Sequence, residues 1–184
     1  MPTFHTPEPL AVRVEAAAGS VRLVATDRDD TVVEVRAHDE SRAADVRAAE
    51  QTRVECSNGK LTVSAARRGF ALVRGGAVDI DIALPSGSGL KVSVASADVR
   101  AGGAFAACRV SSASGDVDVD HVEGNLKAAT ASGSIAVAAV TGNGSVATAS
   151  GTAALPRKSA NSPKSWSSWW RPTSRSRASS KAQA

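Results

Sequence analysis

Tyrosine is absent from this 184-residue chain, phenylalanine occurs three times, methionine once, and all three tryptophans lie beyond Ser165. An interior built on aromatic packing is thereby excluded, and small and β-branched side chains must fill it. Cysteine appears only as Cys56 and Cys108, far apart and without a CxxC partner. Such a pair fits reduced, buried thiols in a cytoplasmic protein better than a disulfide framework. No run approaches the roughly 20 apolar residues of a membrane-spanning helix. The N-terminal MPTFHTPEPLAVRV has no basic region followed by an apolar stretch, so no secretory signal shows. The expected location is cytoplasmic, at most peripheral to a membrane. His5, His38 and His121 have no serine or cysteine nucleophile motif near them, so no triad can be assembled and nothing names a reaction.

What is present is a period. From Leu90 the chain reads LKVSVASADVRAGGAFAA, CRVSSASGDVDVDHVEGN, LKAATASGSIAVAAVTGN and GSVATASGTAAL, an eighteen-residue repeat with no gap in its register. Its serines align as Ser96, Ser114, Ser132 and Ser150. Alternate residues share one face of a strand. One inward set is therefore Leu90, Val92 and Val94, then Cys108, Val110 and Ser112, then Leu126, Ala128 and Thr130. A second is Val99 and Ala101, Val117 and Val119, Ile135 and Val137. The step between the sets is odd, so an unbroken strand would point the second set outward, and the chain must turn between them. Ser114-Gly115, Ser132-Gly133 and Ser150-Gly151 occupy that turn, with Ala97 in place of glycine in the first unit. A second corner falls at Gly124-Asn125 and Gly142-Asn143. Two short strands and two corners per unit predict an all-β fold, a β-solenoid with about 18 residues per coil. A succession of hairpins shares the period, but hairpins this regular usually carry longer strands. The small inward residues imply a thin core, to which each buried Val or Leu contributes only about 1.5–3 kcal/mol.

Ahead of the repeats, Leu10 to Glu15, Ser20 to Thr26 and Thr31 to Ala37 read as strands, the first two joined through Ala17-Ala18-Gly19 like a repeat unit. From Asp39 to Thr52 glycine and proline vanish, which predicts one helix with Asp39 or Ser41 as N-cap and Ala43, Val46 and Ala49 as its apolar face, lying on the sheet edge. Arg53 to Cys56 and Lys60 to Ala65 form a hairpin through Ser57-Asn58-Gly59. After a basic loop from Arg67 to Gly76 carrying Phe70, Val78, Ile80, Ile82 and Leu84 alternate with Asp79 and Asp81 up to Pro85.

A strand ending in Leu84-Pro85, the Ser86-Gly87-Ser88-Gly89 loop, and then repeated Ala-Ser-Gly-Asp-Val units together resemble the putative adhesin family of bacterial β-strand-repeat proteins, a DUF4097-type domain of unknown function. The resemblance runs from about Phe4 to Leu155. It implies an all-β repeat without established enzymatic activity, with some relatives tied to the cell envelope and its stress responses, and it supplies no catalytic residue. The repeats stop after Thr152, where relatives continue them.

Residues 1–155 are accordingly expected to form the β-strand-repeat domain, with regular repeats over 90–155. Residues 156–184 differ in kind: they carry seven Lys or Arg, no acid, many serines and every tryptophan, leaving the body at −3 although the whole chain is +4. This segment is expected to be disordered. Three accounts fit it: a solvated extension; a contact to anionic lipid or nucleic acid through Trp166, Trp169, Trp170, Arg171, Arg175 and Arg177; or an out-of-frame continuation of the repeats.

Two motifs invite chemistry. Asp116, Asp118, Asp120 and His121 form a DxDxDH run, but alternation places the carboxylates on the outer face of one coil, so the expectation is a solvated face, with no metal, cofactor or catalytic group. Position two of successive coils holds Lys91, Arg109 and Lys127. Stacking would align these like charges about 4.8 Å apart, a mildly costly column that reads either as surface charge serving solubility or as a weak anion-binding strip for a phosphate-bearing polymer or lipid headgroups. The expected function is a non-enzymatic scaffold or binding module, recognising a protein partner or its own copy through a flank or the open coil from Gly144 to Leu155. The alternative is a protein that binds or acts on envelope polysaccharides, whose enzymes usually cluster carboxylates on adjacent coils.

Overall fold

The computed structural model describes residues 2–65 and 76–154. Its strands are β1 (Thr3–His5), β2 (Ala11–Thr26), β3 (Asp30–Ala37), β4 (Arg53–Ser57), β5 (Lys60–Ser64), β6 (Val78–Pro85), β7 (Ser88–Ser114), β8 (Val117–Val122), β9 (Leu126–Ser132), β10 (Ile135–Val140), β11 (Gly144–Ser150) and β12 (Ala153–Ala154), with one helix, α1 (Ala43–Gln51). The β-solenoid is present. β7 pairs in parallel with β8 and β9, β8 with β10, β9 with β11 and β10 with β12. Each rung's corner amide then donates to the next rung, as Leu126 does to Asn143 at 2.8 Å. We call the layer of β5, the first half of β2, both ends of β7, β9 and β11 face A. The layer of β6, the second half of β2, the middle of β7, β8, β10 and β12 is face B.

All of the inward residues expected from the repeat are buried. They merge with Val12, Val14, Leu61, Val63 and the apolar side of β6 into one core. The corner glycines sit where no side chain fits. Gly133 has φ +137°, and a Cβ there would lie 2.2 Å from the carbonyl oxygen of Gly115. At the other corner Gly142 is packed against Gly124 just as closely.

The gapless register needs one correction. Val99 and Ala101 face Val117 and Val119, eighteen residues on, but a bulge between Ala101 and Ala104 puts Phe105 opposite Val122. In strict period Phe105 would join Glu123, an exposed position. The bulge turns it inward, where it is fully buried. Gly103, at φ +95°, supplies the unusual backbone, and Ala97 keeps a negative φ at its own corner.

The N-terminal part caps the solenoid. β3 and then β1 extend face B in antiparallel sense, and the β4–β5 hairpin extends face A through Asn58 and Gly59, both at positive φ. The helix links β3 on one face to β4 on the other, and Ala48 and Ala49 pack against the core. It starts later than the sequence suggests. Asp39 Oδ1 instead accepts from the Ser41 amide and hydroxyl, and the N-cap position falls to Arg42, which provides no side-chain cap. Its inward face also differs. Ala43 is exposed, whereas Asp45 is fully buried, because its Oδ1 accepts the Ala77 amide at 3.0 Å next to β6. The Arg67 to Gly76 loop lies, up to residue 75, outside the described residues.

Candidate functional site

Two members of the acidic run, Asp116 and Asp120, are structural. Asp98 Oδ1 accepts the Asp116 amide at 3.0 Å, Asp116 Oδ1 accepts the Ser134 amide at 2.8 Å, and Asp120 Oδ2 accepts the Gly103 amide at 3.2 Å. Each carboxylate thus satisfies a backbone donor of an adjacent rung where the chain turns. Asp118 stands opposite Arg100. Carboxylates do stack on adjacent rungs, since Asp98 occupies the same repeat position as Asp116, but both are committed to the backbone. Among the described residues no group of three His, Cys, Asp or Glu could hold a metal ion. Inside the corner, Ser112 and Thr130 hydroxyls donate to the carbonyls of Ser114 and Ser132 at 3.0 and 3.1 Å, so the polar members of the inward column serve the turn.

The histidines are separate. His5 pairs opposite Asp30 at the cap and His121 stands on β8 opposite Ala139. His38 Nδ1 lies 3.0 Å from Asp79 Oδ1, which also accepts the Ser20 hydroxyl at 2.7 Å. The carboxylate sits between hydroxyl and imidazole, so no base faces the serine and the order of a nucleophilic triad is not met. The cluster instead pins the cap. The hydrogen bond to Asp79, and then its charge, raise His38 above its ordinary 6.5. Partial burial pushes Asp79 up, but the Ser20 and His38 contacts outweigh it and leave it below 3.8. A raised histidine stabilises fully below its unfolded value and loses that contribution as pH rises through the folded one; the lowered aspartate loses its contribution on acidification. The melting-temperature difference between wild type and His38→Asn should therefore be positive between about pH 3.8 and 6.5 and shrink toward zero above that window. A difference flat from pH 5 to 9 in a thermal-melt series would remove the latch.

Cys108 is buried, its thiol pushed up to about 12 by desolvation. It is inert packing at physiological pH. Cys56 is half-buried on the cap hairpin, and both thiols are free.

The basic column gathers charges of one sign on adjacent rungs. Arg109 faces Lys127 across β7 and β9, and Lys91 faces Arg13 across β7 and β2. Lys91, Arg109 and Lys127 line one shallow depression of about 390 Å³ on face A together with Gly89, Ala107 and Asn125. Arg13 extends the column by one rung and was not expected there. Its signal was available, because Arg13 precedes the Gly19 corner by the same six residues that separate Lys91 from Ala97. Arg13 is bonded to Glu15. Lys91, Arg109 and Lys127 form no ion pair among the described residues, as is true of Arg22 and Arg100 on face B, whereas Arg28 and Arg36 do. The equivalent column on face B runs Glu34, Asp81, Arg22, Arg100 and Asp118, with both signs present. The tail residues Trp166, Trp169, Trp170, Arg171, Arg175 and Arg177 lie outside the described residues.

The architecture is that of a capped β-solenoid whose acidic and hydroxyl groups hold its corners. The chain belongs to the Toastrack DUF4097 family, which matches residues 12–164. No curated protein matches it. Among solved structures, it is similar to a putative adhesin from Bacteroides fragilis at 14% identity, covering 83% of this chain and 94% of that one, with a TM-score of 0.26. No helix among the described residues is long and apolar enough to cross a membrane.

Proposed function

We propose that residues 1–155 form a non-enzymatic binding module, a stiff scaffold that acts through the surfaces its fold leaves uncommitted, with residues 156–184 appended to it. The observation that carries this reading is the division of labour among polar groups: in the run that resembles a catalytic or metal cluster, Asp116 and Asp120 are spent on backbone amides, while among the described residues the cations of face A other than Arg13 have no ion-pair partner and the last rung has no strand beyond it. The envelope setting implied by the family resemblance fits such a module.

One partner is a second copy. β11 pairs only with β9, and β12 only with β10, among the described residues. From Gly144 to Ala154 there is no charge and no proline, the devices that normally keep a sheet edge from pairing. The other end carries Arg53 and Glu55 on its outer strand and is crossed by the helix, so head-to-tail stacking is blocked. Two last rungs meeting about a two-fold axis would close the assembly at a dimer. Sedimentation velocity of the full chain over a concentration series should show a monomer–dimer equilibrium. Ala147→Lys, which sets two cations near each other across the axis, should hold it monomeric. A wild type that stays monomeric throughout, or a variant that dimerises equally well, would refute this self-pairing.

A further inference from the structure

We infer that the depression on face A is a binding site for a linear phosphate polymer, lying along the stacking axis with its phosphates against Lys91, Arg109 and Lys127. This rests on the binding-module reading and specifies its ligand. Four observations lead to it. The three cations stand on successive rungs and line one concavity instead of pointing to separate parts of the surface. Arg109 and Lys127 are directly opposed, an arrangement that repels unless an anion lies between the pair and solvent. Beside the three cations the neighbouring outward column holds Ser93, Ser111 and Ala129, its acid Glu15 lying one rung away and bonded to Arg13, and the two serines offer hydroxyl donors. Face B, built on the same repeat, mixes signs in its matching column, so the single-sign row is not a consequence of the period.

The geometry favours a polymer over a membrane. Successive rungs lie about 4.8 Å apart, so the row presents one cation per rung along a single line. A flexible chain bearing a charge on every unit can follow that line, with Arg109 taking a phosphate through two parallel N–H donors and the lysines acting as point charges. A bilayer surface asks for a broad basic face with apolar or aromatic side chains to enter the headgroups. The one exposed large hydrophobic residue among those described is Val24, and it stands on face B. Arg13, held by Glu15, marks the end of the row toward the cap.

The test uses the full chain, because the tail's seven cations will also attract polyanions. Binding of long-chain inorganic polyphosphate is titrated at several salt concentrations for wild type, for the triple variant Lys91→Ser, Arg109→Ser, Lys127→Ser, and for a tail variant with Arg171, Arg175 and Arg177 changed to serine. Each neutralised phosphate contributes about 0.7 to the log–log salt slope of a single-stranded polyanion, so losing three contacts should flatten the slope by about 2. A slope unchanged in the triple variant, with binding lost in the tail variant, overturns the proposal. So does binding to vesicles of phosphatidylglycerol and phosphatidylcholine that depends on the three residues while polyphosphate binding does not. Thermal melts confirm that the triple variant folds; with the mutual repulsion removed, its melting temperature should not fall. Sedimentation of the same variant separates the two ideas, because self-pairing through the last rung does not involve these residues.

Discussion

Replacing Gly133 by alanine should destabilise the solenoid by about 3 kcal/mol, a large loss for the addition of one methyl group. Two costs combine. At φ +137° the backbone lies where a Cβ is strained, and the Cβ itself would sit 2.2 Å from the Gly115 carbonyl oxygen and 2.9 Å from its carbon. Neither neighbour is a side chain that can swing away. Gly115 is held from below by Ala97 and donates its own amide to Ser132, so relief would require the rungs to part. Gly59→Ala is the internal control. Gly59 is also left-handed, at φ +69°, but nothing lies within 4 Å of its missing side chain. Its loss should be about 1 kcal/mol, the conformational part alone. Chemical denaturation of both variants measures the difference. Equal losses would mean that the corners are not stacked as closely as the parallel ladder requires. Because contacts in a solenoid are mostly between neighbours, the damage at Gly133 should reach the rungs on either side first, and amide exchange in β8 and β10 should rise before that in β2.

What the sequence revealed, and what it hid, follows from the range of the interaction involved. Alternation and period are local, and every residue they assigned to the interior between Leu90 and Val137 is buried, although they missed Ala97, Phe105 and Val122. The hairpin at Asn58-Gly59 was equally legible, because its turn chemistry is confined to two residues. Pairings across long separations were not. Arg13 joins the basic column only because β2 stacks in parallel on β7, and Asp45 is buried only because the Ala77 amide, on the far side of the basic loop, needs an acceptor. Its helix therefore turns a carboxylate inward where periodicity would have chosen alanine. The acidic run misled in the opposite way. Asp116 and Asp120 look free along one strand, and their partners become visible only when the adjacent rungs are in place.

Phe105 is the sharpest case, and truncating it should cost about 3–5 kcal/mol, as removal of a fully buried aromatic side chain does when the surroundings cannot collapse. In the strict repeat it aligns with Glu123 and Thr141, both exposed, and Phe105→Ala would then change stability by less than about 0.5 kcal/mol. The one-residue bulge at Gly102-Gly103 moves it instead into the column of Val122 and Val140, where it is fully buried. The rest of the buried core is made of Val, Leu, Ile, Ala and Cys108, so it holds no other aromatic ring to fill the space that Phe105 would vacate. The two readings differ by severalfold in a single urea titration. A near-neutral Phe105→Ala would restore the gapless register and remove the bulge. A loss of several kcal/mol, recovered in part by Phe105→Leu, would establish that the irregular rung is anchored by the one aromatic side chain fully buried among the described residues.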